Sequence, residues 1–148
     1  MSQKEFEKIV NDDKFAGSVI RLCAVFESSL DSCLTSYFTS HNDRCMEFHG
    51  LVIERLSLHQ KIEILEKIDF RRSTKSRDNF LASLKTLKKL RNKLAHTYNV
   101  CGEVELRKLY SDSTIRSWVL NYPKSISDEK RNMEVRTTKL FKAAMQES

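Results

Sequence analysis

The run Arg91-Asn92-Lys93-Leu94-Ala95-His96-Thr97-Tyr98 sets a permanently charged guanidinium five positions ahead of a titratable imidazole. On a helix, at roughly 100° per residue, Asn92 falls at about 100° and His96 at about 140° from Arg91, with Ala95 at about 40°. Arginine and histidine thus bracket one face. Ala95 is small enough to admit a substrate or a second backbone, and Asn92 and His96, one turn apart, can share a ligand. A guanidinium beside an imidazole is the minimal equipment for cutting a phosphodiester. The arginine stabilises the charge that develops on phosphorus, and the histidine moves a proton to or from a ribose hydroxyl or leaving oxygen. Lys85, Lys88 and Lys89 extend the same side, and from Arg71 to Lys93 nine basic residues accompany one acid, Asp78. Such a cluster suits an RNA backbone, and equally describes an ordinary solvated helix face.

The element carrying these residues is predicted over about 79–99, with an apolar stripe of Phe80, Leu84, Leu87, Leu94 and Tyr98 flanked by Leu81 and Leu90. A first long helix is predicted over 15–38, where Phe15, Val19, Leu22, Cys23, Phe26, Leu30, Cys33, Leu34 and Tyr37 recur at three- and four-residue steps. Ser57 and Gln60 form a capping box before a helix over about 58–69. Residues 39–44 read as a connection, 48–56 as a short irregular or extended piece, and 71–78 as a hydrophilic link. Beyond Gly102, residues 104–110 predict a short helix or turn, 115–120 carry the lone Trp118, and Tyr122-Pro123 breaks the chain. Ser127 is expected to cap a last helix ending near Met145. Long helices with broad apolar faces pack as neighbours, so the expected fold is an all-α bundle, one domain over 1–148 with a core at about 14–100 and an extension over 101–148.

Composition narrows the function classes. Three glycines and one proline among 148 residues are far below average usage and starve strand-rich folds of turn residues. Gly17, Gly50 and Gly102 lie too far apart for a Walker loop or a dinucleotide fingerprint. Charged residues at 31% and hydrophobic ones at 40% fit a globular chain, and the net charge of +6 favours a polyanionic partner. The polar start MSQKEFEK and the lack of a long apolar run predict neither signal peptide nor membrane span, hence a cytoplasmic protein. Cys23, Cys33, Cys45 and Cys101 contain no CxxC pair and read as reduced, packed thiols. His41, Cys45 and His49 recur every four residues, but three ligands without a fourth do not make a metal site, and no metal or cofactor is expected. Glu27 lies on the apolar side of the first helix, where a carboxylate needs a cation, and Arg91 is the expected partner. If it sits on the rim it needs none.

The segment RNKLAHTY resembles the R-x4-H motif of the HEPN superfamily, and Asn92 matches the polar residue that follows the arginine in its ribonuclease members. The longer form R-x4-H-x-Y resembles HepT-type toxins. The similarity spans about residues 16–98. A Lys61-Ile62 helix and a late RN-x-x-AH also resemble MltR-like regulators, a group for which ribonuclease activity is not implied.

The resemblance implies an all-helical, metal-independent endoribonuclease of the kind found in toxin–antitoxin and phage-defence systems. Arg91 would hold the scissile phosphate, His96 would transfer the proton and Asn92 would position ribose or phosphate. Glu27 would orient the guanidinium, while Lys85, Lys88 and Lys89 would track the backbone. Acid and base roles are best filled by two imidazoles, so a homodimer joined at the Arg91/His96 face is expected. In HepT-type relatives the position of Tyr98 takes AMP from a partner nucleotidyltransferase, which implies a possible antitoxin or nucleotidyltransferase partner here. At about 340° Tyr98 also fits a core aromatic. The alternative is a non-catalytic helical regulator using the same face.

Overall fold

The computed structural model describes residues 2–39, 43–69, 73–96 and 103–147, with backbone only at 95, 96, 103, 146 and 147. Among the described residues the chain is all-α, with eight helices, one 3-10 turn and no strand. In order these are α1 (Gln3–Val10), α2 (Asp13–Thr39), α3 (Cys45–Leu51), the 3-10 turn Ile53–Arg55, α4 (Leu58–Lys67), α5 (Thr74–His96), α6 (Glu103–Ser111), α7 (Ser113–Leu120) and α8 (Lys124–Glu147).

Local chemistry accounts for several boundaries. Ser2 caps α1 by accepting from the Glu5 amide. Ser57 accepts from the Gln60 amide at 3.1 Å while the Gln60 side chain accepts from the Ser57 amide at 2.8 Å, so the expected capping box opens α4. Asp112 caps α7 by accepting from the amides of Thr114 and Ile115. Helix α8 starts three residues before the expected cap Ser127, because Pro123 has no N–H to satisfy and tolerates the position before a first turn.

Two further expectations are corrected. The stretch 48–56 is not extended: Met46, Glu47 and Phe48 continue a helix to Leu51, and the β-branched pair Val52 and Ile53 enters only where α3 gives way to the 3-10 turn. Residues 74–78 are the first turn of α5 rather than a link, and Arg77 there donates to the Ile68 carbonyl at the end of α4. The polar N-terminus, for which no element was predicted, forms α1, whose Phe6 and Val10 are buried at i and i+4. Positions 70–72 and 97–102, which held part of the predicted link and helix end, lie outside the described residues.

The contacts divide into two compact units that interleave in sequence, 1–24 with 84–131 and 25–83 with 132–148. In the first, Phe15, Val19 and Leu22 of α2 are buried, as are Leu84, Leu87 and Leu90 of α5 and Ile115 and Val119 of α7. The ring of Phe6 meets Tyr110 edge-on at 5.2 Å, and Phe15 meets Tyr122 at 5.1 Å, geometries favoured by the ring quadrupole.

In the second unit Phe26, Leu30 and Leu34 of α2, Ile62 and Leu65 of α4 and Phe80 of α5 are buried. Phe26 and Phe80 meet edge-on at 6.4 Å. One charged side chain joins them: Lys61, only 5% exposed, reaches Asp31 Oδ1 at 2.8 Å and Glu27 Oε1 at 3.4 Å. An ammonium withdrawn from water requires such partners, and two carboxylates one turn apart on α2 supply them.

Lys61→Ala is therefore expected to cost about 3 kcal/mol in urea unfolding, because it strands two half-buried acids. The triple change Lys61→Met, Glu27→Gln, Asp31→Leu should recover most of that loss. Equal destabilisation by the single and triple variants would show that packing, not charge pairing, sets the effect.

Candidate functional site

Helix α5 continues unbroken through His96, so positions 91, 92 and 96 keep the register from which a shared face was predicted. The buried Leu84, Leu87 and Leu90 anchor one side of its second half in the first unit. Leu94, expected on the same stripe, is half-buried, while Leu81 and Leu90, expected as flanks, are buried.

Arg91 is half-buried, and its guanidinium donates from Nε at 3.4 Å and Nη2 at 3.1 Å to the single oxygen Oδ1 of Asn92. Neighbouring positions on a helix point roughly 100° apart, so this contact folds the arginine sideways onto its neighbour. It fixes the plane of the fork through a neutral oxygen. The half-buried Asn92 spends its acceptor oxygen on Arg91. Asn92, expected to position ribose or phosphate, thus first orients the arginine. The side chain of His96 and all of Tyr98 lie outside the described residues, as do Arg71, Arg72, His41 and Cys101.

The cationic face carries tertiary acids that a local count does not register. Lys89, half-exposed, pairs with Asp112 Oδ2 at 3.1 Å. Lys93 donates to Glu105, whose other oxygen lies 4.0 Å from Lys108. The Lys93 hydrogen bond holds the Glu105 carboxyl below the usual carboxylate range, against a smaller upward push from burial. Burial pushes Asp112 upward too, but the amides of Ile115 and Thr114 together with the Lys89 ammonium outweigh it and leave its pKa lowered. Lys85 is exposed and Lys88 half-buried on the same helix.

Glu27 lies in the second unit and Arg91 in the first. Lys61 Nζ lies 3.4 Å from the Glu27 carboxylate, a cation the sequence reading had not named for it. Glu105, Asp112 and Asp31 were all missed. Of these Asp112 had a legible signal, an N-cap residue type directly before Ser113-Thr114-Ile115. The thiols of Cys23 and Cys33 are buried, and burial pushes Cys33 up to about 12, which keeps it protonated and unreactive. Cys45 is half-buried, and His59 is exposed and pairs with Glu63 at 2.9 Å. No cluster of three metal-ligating side chains occurs among the described residues. No helix among them is long and apolar enough to cross a membrane.

No protein-family model, curated protein or solved structure matches the chain. What the site can do follows from its own groups: a planar cation fixed on a helix, amide donors beside it and a histidine position one turn on.

Asp112 links the face to the fold, and its role is measurable. Asp112→Ala is expected to lose about 1 kcal/mol through the cap of α7. The folded pKa lies below the unfolded value of about 4, so the carboxylate's contribution is complete above that pH and disappears as pH falls through the folded pKa. Urea unfolding of wild type and Asp112→Asn should therefore converge as pH drops below about 4. A gap that persists at pH 2 would remove the charge from the explanation.

Proposed function

We propose that this chain is a metal-independent endoribonuclease of HEPN type, in which Arg91 binds the scissile phosphate and His96 transfers the proton. The observation that carries the proposal is the double hydrogen bond from Arg91 to Asn92. A guanidinium already oriented before substrate arrives loses less freedom on binding and directs its donors where charge develops in the transition state. The substrate is single-stranded or looped RNA, whose 2'-hydroxyl can rotate into line with its own phosphate. Attack by that hydroxyl breaks the bond to the 5'-oxygen of the next nucleotide and leaves a cyclic phosphate. One imidazole removes the hydroxyl proton and another protonates the departing oxygen, which calls for two chains meeting at this face. The partners are thus RNA and a second copy, and an antitoxin or a nucleotidyltransferase acting at Tyr98 is the corresponding control.

A second proposal, a helical regulator without catalysis, is favoured by one observation. Asp112 engages Lys89, one of the three lysines that would track a phosphate backbone, and Glu105 engages Lys93 on the same helix. The two part in one experiment. Total RNA incubated with micromolar protein in chelator should be cleaved to products ending in cyclic phosphate. Arg91→Ala and His96→Ala should each lower the rate by at least about a hundredfold. Intact RNA with well-folded wild-type protein would favour the regulator, and cleavage that survives both substitutions would locate the activity elsewhere.

A further inference from the structure

The second unit holds a groove between α2 and α8 that uses none of the residues of the proposed ribonuclease site. Its wider part has a volume of about 520 Å3, with Phe141 and Met145 of α8, Met46 and His49 of α3, and Ser32 and Ser36 of α2 on its walls. A narrower stretch of about 280 Å3 shares Ser32 and Phe141 with it and reaches Lys142. From Ser29 to Thr39 the two parts follow α2 for about 15 Å, at 1.5 Å per residue.

Met46, Phe141 and Met145 are 79%, 43% and 45% exposed, so the wider part leaves three large apolar side chains in water. Cover for them is favourable, and unbranched methionines adapt to a flexible apolar guest. The narrow end differs in character. Ser29 and Thr138 donate their hydroxyl hydrogens to the Val25 and Glu134 carbonyls of their own helices. Lys142 and Ser32 are then the donors there. At the opposite end the wall residue His49 has its Nδ1 3.5 Å from Glu54 Oε1, so this imidazole is already engaged by a carboxylate of the chain itself.

We infer that this groove binds a medium-chain aliphatic carboxylate, its head on Lys142 and Ser32 and its chain over Phe141, Met145 and Met46. A single ammonium matches a single negative charge, and the groove is elongated rather than rounded. Its combined size lies in the range of small-molecule sites. The chain end stops against α3, below His49.

Titration calorimetry with the full chain tests this, using decanoate kept below its micelle-forming concentration, decanol and decyl phosphate. One saturable decanoate site per chain is expected, with decanol binding about fivefold more weakly. Lys142→Gln should weaken decanoate by a similar factor without affecting decanol. Ser32→Trp, at an exposed position in the shared waist, should abolish binding while circular dichroism stays unchanged. Absence of saturable heat would overturn the proposal. So would equal binding of acid and alcohol, tighter binding of decyl phosphate than of decanoate, or decanoate affinity that Lys142→Gln leaves unchanged.

Discussion

A lysine ammonium almost fully withdrawn from water is the interaction on which the second unit depends. Lys61 sits on the inward side of α4 between two carboxylates of α2, and the geometry is restrictive. Leu58, Ile62 and Leu65 could slide along an apolar surface by a fraction of a turn at modest cost, because the hydrophobic effect has no direction. A charge cannot. Displacing α4 along α2 would separate the ammonium from its partners and leave three charges poorly solvated, so the pair fixes register where apolar packing sets only proximity.

The same principle acts differently at α5. There the ion pairs Lys89–Asp112 and Lys93–Glu105 are half-exposed, and surface pairs contribute little stability. Their importance is to charge distribution. They join the second half of α5 to α6 and to the cap of α7, and they reduce the field that a run of lysines would otherwise project. Arg91 is held through the amide oxygen of Asn92, a contact that orients the cation without cancelling its charge.

Helix period carried most of what the sequence could tell. The nine apolar positions named on the first long helix are buried apart from the half-buried Tyr37, and the Ser57/Gln60 box opens α4 as its chemistry demands. What failed was short or charged. Residues 74–78 looked like a link because they are hydrophilic, yet none of them breaks a helix, and polarity alone does not separate an exposed first turn from a loop. Lys61 had a signal that polarity concealed: with Leu58, Ile62 and Leu65 it completes the spacing i, i+3, i+4, i+7, which places a lysine on a core stripe. Glu27, on the apolar side of its own helix, was recognised as needing a cation, but no local rule pointed to Lys61 on a separate helix.

How the guanidinium is held matters for catalysis. An amide oxygen constrains the fork without adding a negative charge beside it. With Lys61 drawing on Glu27 from α4, the acid on α2 has a structural task of its own. On α5 Asn92, next in sequence, holds the guanidinium through its amide oxygen and travels with Arg91 in any rearrangement of the helices. A contact made within one helix keeps its geometry whatever the neighbouring elements do, a useful property for a site that the proposed mechanism completes with a second molecule.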